Sequence, residues 1–267
     1  MKQRILIVAG FMQLMSIGCT SSLEKATYQV MFEDQDQIAE RAQTAKEKLP
    51  IKITGGLNIT RWASDSLAPD PVAIDIDDQG AVYLISTNRG KVSEFDIRGH
   101  RDWMTESIGF QTVEDRRAFL RKTFATENSE KNAWLPDLTG DGIHDWHDLT
   151  VEKDEIWKLE DKNGDGYADQ GTRILNQFNE EVTDVAGGLL VRKNDAFVAI
   201  GPDLWRLDNT NKKGLWTNAK SIATGFAVHI GFGGHGMSSV IEGPDGKIYW
   251  HGTRAEIHTS KAPDLLP

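Results

Sequence analysis

One unit recurs three times in this sequence and restricts the fold more than any other feature: two short runs of alternating apolar and polar residues split by a polar turn. From Asp70 the chain reads Pro71 to Thr87 with a turn at Asp78-Gln79-Gly80. Gly187 to Gly201 turns at Asn194-Asp195, and Met237 to Trp250 turns at Gly243-Pro244-Asp245-Gly246. Valine, isoleucine and aromatic residues fill the runs, and the turns supply a preset proline φ or a glycine free to take φ > 0, so each unit reads as a β-hairpin. The second and third turns lie about 51 residues apart, a period in the range of propeller blades. The first and second lie more than twice as far apart, which implies an insertion. Gln111 to Phe124 supplies it as a helix, with Thr112 as N-cap, Asp115 three residues on, and Val113, Leu120 and Phe124 on one face.

Shorter strand candidates lie between the hairpins at Glu155–Leu159, Thr172–Leu175 and Leu204–Leu207. Repeated antiparallel units of up to four strands point to an all-β chain and to a β-propeller with a small helical insertion and an N-terminal helix; a sandwich needs no such period. About three blades can be counted, whereas propellers close with about four to eight. The expectation is therefore a truncated ring, or one completed by another chain. His251 to Pro267 shows neither alternation nor a capping strand and reads as an irregular tail.

At the N-terminus, Lys2 and Arg4 precede an apolar run, Ile5 to Met15, too short to span a bilayer. It ends in Ser16-Ile17-Gly18-Cys19. A small residue before a lone cysteine resembles a bacterial lipobox, which implies cleavage before Cys19 and lipidation of its sulfur, although Ser16 stands where leucine is usual. The other reading is an ordinary signal peptide or an uncleaved anchor. Each sends the chain out of the cytoplasm, and the lipoprotein reading places it in the cell envelope, on the periplasmic side of a membrane or at the cell surface. Cys19 is the only cysteine, so no internal disulfide can form. Glu33 to Lys48 has acids early and lysines late and stops at Pro50; its thin apolar face of Ile38, Ala42 and Ala45 reads as a tether helix. The expected organisation is 1–18 signal peptide, 19–56 tether, 57–250 partial propeller and 251–267 tail.

With 39% apolar and 26% charged residues the chain is globular rather than disordered, and 30 basic residues against 40 acidic ones argue against a nucleic-acid surface. Acidic side chains suit calcium better. Asp161-Lys-Asn-Gly-Asp-Gly-Tyr-Ala-Asp169 puts side-chain oxygens at loop positions 1, 3, 5 and 9 (Asp161, Asn163, Asp165, Asp169), glycine at 6 and the Tyr167 carbonyl at 7, most of a calcium loop. Position 12 is Thr172, so the bidentate glutamate is missing and weak binding is expected; the bland alternative is a polar turn between strands. A second loop, Asp137 to Asp148, offers Asp137, Thr139, Asp141, the Ile143 carbonyl, Asp145 and Asp148 in a less regular set. His144 and His147 suggest zinc, but no third strong nitrogen or sulfur ligand sits near them.

The third hairpin is preceded by Gly231-Phe-Gly-Gly-His-Gly236, where glycines around His235 allow another backbone or a flat ligand to come close. The pattern matches the dinucleotide fingerprint G-x-G-x-x-G, but that motif opens a helix and this one leads into a strand. There is no serine in a nucleophile elbow. The aromatic residues are scattered singly, as blade core or as a sugar-stacking surface.

Together the hairpins, the calcium loop and His235 resemble the glucose/sorbosone dehydrogenase family of β-propellers. They are closer still to the exported membrane-bound dehydrogenases, in which such a propeller precedes helical repeats and a haem-binding cytochrome segment. The residues that carry this are Ile59–Asp65, Asp70–Ile74, Asp96–His100, Gln111–Arg116, Leu159–Asp169, Asp203–Trp205 and Gly234–Gly236 with Gly243–Gly246, over residues 57–250. The resemblance implies a full ring of about six blades. It also implies oxidation of a carbohydrate with hydride passing to pyrroloquinoline quinone, a cytochrome as electron acceptor, and a histidine nine residues before a Gly-Pro-Asp proline as general base. His235 stands nine before Pro244, and a neutral imidazole suits that role. His100, in the shared Arg-Gly-His motif, is then a cofactor-side residue of the same cavity. The sequence departs from the family at Gly234, often aspartate, and at His251-Gly-Thr-Arg254, where another loop is expected. The blades that would bring cationic cofactor ligands and any Cys-x-x-Cys-His haem motif are absent. The alternative to an enzyme is a calcium-stabilised propeller that binds glycan or protein, or an inactive fragment.

Overall fold

The computed structural model describes residues 29–48, 52–67, 69–91, 93–211, 215–233, 236–252 and 256–260. Cys19 with its leader, and His235 with Gly234, lie outside the described residues. The chain is mostly β, in three antiparallel sheets that follow one another along the sequence. The first has the order β1-β5-β4-β3-β2, from β1 (Gln29–Phe32), β2 (Pro71–Ile76), β3 (Val82–Thr87), β4 (Asp154–Glu160) and β5 (Gln170–Phe178). The second runs β6 (Gly188–Val191), β7 (Ala196–Ile200), β8 (Asp203–Thr210), β9 (Trp216–Thr224), and the third β10 (Ser238–Glu242), β11 (Ile248–Gly252), β12 (Glu256–Ser260). All three hairpins expected from the alternation are present as β2–β3, β6–β7 and β10–β11.

The tail after Trp250 needs correction. Glu256–Ser260 is a strand, paired antiparallel with β11 from Ile248↔Ser260 to Gly252↔Glu256. An edge strand gains its order from the ladder it joins, so it need not show alternation of its own. β1 is of the same kind: four residues that add to the outer edge of the first sheet, Gln29↔Arg173 to Phe32↔Gln170. The helix α1 (Gln35–Lys48) that follows is docked, with Ile38 and Ala42 buried, and Arg41 bonds to the buried Glu33 at 3.2 Å.

Alternation along β7 explains why the middle sheet is apolar on both faces. Ala196, Val198 and Ile200 pack with Tyr83, Ile85, Ile156, Leu189 and Leu207 against the first sheet, while Phe197 and Ala199 pack with Leu204, Val240, Ile248 and Trp250 against the third. The sheets come closest at two glycines. A Cβ on Gly187 would lie 2.0 Å from the Met237 carbonyl oxygen, and one on Gly188 2.7 Å from the Ser239 carbonyl carbon, so only glycine admits this approach. On its other face the first sheet packs Val82, Leu84, Trp157 and Leu159 under Leu67 and Trp62 of the preceding extended segment.

The insertion lies between β3 and β4. It holds α2 (Met104–Gly109) and α3 (Val113–Thr123), the latter opened by the expected capping box: Thr112 Oγ1 accepts from Asp115 N at 3.2 Å, and the Asp115 carboxylate accepts from Thr112 N at 2.9 Å. Phe119 and Leu120 of α3 and its C-cap Phe124 join Phe95, Trp103, Leu135 and Leu149 in a core of their own. Arg89, fully buried, bonds this core to the sheets through the carbonyls of Ser93, Leu149, Glu152, Glu180 and Thr183 at 2.9–3.5 Å. Among the described residues no helix is long and apolar enough to cross a membrane.

Candidate functional site

The glycine-rich loop lies between β9 and β10, and the insertion forms the wall it rests on. Arg116 Nη1 of α3 donates to the Ala227 carbonyl at 2.8 Å, Ile230 N donates to Ser107 Oγ of α2 at 3.0 Å, and His229 Nδ1 lies 2.5 Å from the Ser107 carbonyl oxygen. Ile97 N then donates to the Gly231 carbonyl at 2.9 Å, and Gly233 N to the Asp96 carboxylate at 3.3 Å. On the far side of His235, a Cβ on Gly236 would stand 3.3 Å from the Asp184 side chain. The described parts of the loop are thus pinned between the Asp96–His100 segment and Asp184.

Beside it is an aromatic box. His100 stacks on Trp103 with centroids 3.9 Å apart, meets Phe95 edge-on at 5.5 Å and lies 5.2 Å from Trp134. Burial among these rings pulls the His100 pKa below its ordinary value and favours the neutral imidazole. Trp134 is 52% exposed, yet its inner edge is held by Phe95 at 6.2 Å and Phe124 at 5.8 Å. Arg98 forks onto Asp96, which holds that carboxyl below the usual range, and lies 5.0 Å from the Phe232 ring centroid. His100 therefore does stand in the wall that carries the glycine loop, packed as one of its rings.

Under the loop is a buried ionic cluster that no local motif announces. Arg116 Nη2 donates to Asp184 at 2.6 Å with both side chains almost wholly enclosed. Asp154 is also fully buried: one oxygen accepts from Ala186 N at 2.8 Å and the other has no hydrogen-bond partner. Burial, with Asp184 adding like charge, pushes the Asp154 pKa up to about 6, against the hydrogen bonds of Thr87 and Ala186 and the favourable field of Arg89. Further out, Arg117 and Arg121 of α3 clamp the enclosed Glu181 at 3.0 and 2.6 Å.

The two loops read as calcium loops share one turn. Asp137 accepts from the amides of Gly140 and Gly142 at 2.7 and 2.8 Å, and Asp161 from those of Gly164 and Gly166 at 2.7 and 2.9 Å. The glycines sit at positive φ, between 75° and 91°. The Gly142 and Gly166 amides head the causes that lower the Asp137 and Asp161 pKa values. Asp141 and Asp165 each accept from the amide two residues on, while Thr139 Oγ1 donates to Asp137 and Asn163 Nδ2 to Asp165. The loops close differently: Asp169 accepts weakly from Lys162 N at 3.3 Å, and Asp148, not Asp145, takes the amides of Leu138 and Thr139 at 2.8 and 3.0 Å. Asp145 instead faces Thr126 and His147 at 2.8 and 2.9 Å, and His144 Nδ1 lies 2.6 Å from the Leu135 carbonyl oxygen. Among the described residues no three His, Cys, Asp or Glu side chains converge to hold a metal.

A family described as a domain of unknown function (DUF7133) matches residues 43–264, most of the chain, and the protein belongs to that family. No curated protein and no solved structure matches it.

The buried Asp154 has a pH signature. Its carboxyl titrates at about 6 in the folded state and near ~4 unfolded. The folded state therefore binds this proton more tightly, so the contribution of Asp154 to stability is fully present below ~4 and is lost as pH rises through ~6. Asp154→Asn should remove this slope, on the order of 2–3 kcal/mol, from urea melts taken across the window. Parallel wild-type and variant curves would contradict the assignment.

Proposed function

We propose that the three sheets are successive blades of a β-propeller with β2, β6 and β10 nearest its axis, and that this exported, lipid-anchored chain is a calcium-stabilised module that binds carbohydrate. The blade reading is supported by β2–β5, β6–β9 and β10–β12 each forming a meander in chain order, with β1 added on the outer edge of the first, and by β6 touching both β2 and β10. Trp134 carries the binding reading. A half-exposed indole, fixed along its inner edge by Phe95 and Phe124, offers a rigid apolar face to the C–H face of a pyranose. Around it, neutral His100 can both donate and accept, and the Asp96–Arg98 fork can take vicinal hydroxyls. An array of oligosaccharides followed by calorimetry tests this: Trp134→Ala should weaken the best ligand by ~10-fold or more, about 1.4 kcal/mol, while urea melts keep one cooperative transition, its midpoint lowered only by the lost ring contacts with Phe95 and Phe124. Equal affinity in the variant would count against it.

Oxidation of the bound sugar with His235 as general base is the second reading, favoured by the bonds that pin the described parts of that loop to the same wall. The described residues do not fit pyrroloquinoline quinone. It is a polyanion, and the cations beside the loop, Arg98 and Arg116, are committed to Asp96 and Asp184, with Glu94 adding further negative charge near Gly233. Binding therefore comes before oxidation. Dye reduction by the quinone-treated chain with its best sugar, abolished in His235→Gln, would reverse that order.

Calcium is supported by the spacing of the Asp161 loop, with oxygens at positions 1, 3, 5 and 9 and the Asp161 turn already formed; because its carboxylates do not converge, an ion would have to draw Asp161, Asn163, Asp165 and Asp169 together across one strand connection. With affinity in the range of extracellular modules, ~10 mM calcium should stabilise the fold by about 1–3 kcal/mol in urea melts. Asp165→Asn, which removes a ligand charge and leaves both Asp161 acceptors of the turn in place, should abolish most of the gain. An unchanged midpoint on addition of calcium would make the loop a plain turn.

A further inference from the structure

The first and second sheets leave a gap at their turn end. Between the β2–β3 and β6–β7 turns lies a cavity of about 260 Å³, at the opposite end of the strands from Gly201, Asp184 and the glycine-rich loop. Tyr83 of β3 and Trp216 of β9 line it, with ring centroids 5.0 Å apart. Asp77 and Asp78 border it from the first sheet, and Arg192 and Lys193 from the second.

Most of these charges are already used. Asp77 accepts from Gln79 N at 3.0 Å, from Ala81 N at 2.9 Å and from the Tyr83 hydroxyl. Arg192 Nε faces Asp195 and Glu242 at 3.5 and 3.4 Å, and Lys158, the other cation of the lining, pairs with Glu160 at 3.1 Å. Asp78 and Lys193 remain: among the described residues neither side chain has an ion-pair partner. The cavity thus offers one uncommitted anion and one uncommitted cation, each from a different turn, beside two aromatic rings. Its volume lies under the roughly 300–1,000 Å³ of pockets that enclose drug-sized ligands, so its occupant is smaller than those. An apolar ligand would strip water from both charges and return nothing, and a simple anion or cation would satisfy only one of them. Neutral hydroxyls would make weaker bonds to both than charged groups do.

We propose that this cavity binds a small zwitterion of the amino-acid type, its ammonium on Asp78, its carboxylate on Lys193 and its carbon skeleton against Tyr83 and Trp216. The site is built from the first two sheets alone and is separate from the Trp134 surface of the insertion.

Calorimetric titration of the full chain with glycine, L-alanine, β-alanine and 4-aminobutyrate tests this, the series varying the distance between the two charges. At least one should bind saturably. Its N-acetyl derivative, which lacks the positive charge, and its amide, which lacks the negative one, should each bind ~10-fold or more weaker. Asp78→Asn and Lys193→Gln should each weaken the free zwitterion by a similar factor with unchanged far-UV circular dichroism. Asp78→Asn should also cease to discriminate against the N-acetyl derivative, and Lys193→Gln against the amide, which a merely structural role would not produce. The two variants lie on separate turns, so loss of fold in one leaves the other as the test. No saturable binding of any of the four up to ~10 mM, blocked derivatives that bind as tightly as the free zwitterion, or binding indifferent to both variants would each overturn the assignment. So would a neutral sugar that binds the wild type and is weakened by both variants while the zwitterions do not bind.

Discussion

The buried pair of Arg116 and Asp184 is the constraint on which the site depends. Both side chains are enclosed, their charged atoms lie 2.6 Å apart, and they come from a helix of the insertion and from the link between the first and second sheets. Two charges taken out of water are tolerated only when paired and bonded, and removing one partner of such a pair typically costs about 3–5 kcal/mol. Arg116 also holds the Ala227 carbonyl, and Asp184 N donates to the Gly201 carbonyl at 2.8 Å. Helix, sheet link and histidine loop therefore share one interaction.

Arg89 extends the same logic. Its guanidinium spans carbonyls on both sides of the insertion, and its field acts on Asp154, whose second oxygen has no partner. A buried carboxylate left half-satisfied beside an arginine and another carboxylate is a costly arrangement, and it bonds Ala186, two residues from the Asp184 that packs against Gly236. The insertion is thus no ornament on the sheets. It supplies the aromatic box, the exposed indole and the cations that bind the loop.

Much of the scaffold was legible in the sequence. Alternation around Asp78–Gly80, Asn194–Asp195 and Gly243–Gly246 identified the three hairpins because period two and turn chemistry are local properties. Thr112 and Asp115 marked the start of α3 for the same reason, and the spacing of Asp161, Gly164 and Gly166 announced the turn that forms there. What stayed hidden is what depends on distant partners. β1 and β12 are short edge strands ordered by their neighbours, and β9 alternates small and polar residues with little burial to mark it. Arg116 and Asp184 are far apart in the chain and no motif joins them.

The measurement that bears most directly on this account is hydrogen exchange by mass spectrometry on the chain with Arg116→Met. If the Arg116–Asp184 pair fastens the loop to the insertion, amides across residues 226–233 and the start of α3 should lose protection, while those of β7 and β8 in the middle sheet keep theirs. Unchanged protection across 226–233 would mean that the bonds from Ser107 and Ile97 hold the loop unaided, and that the buried pair is not what organises the site.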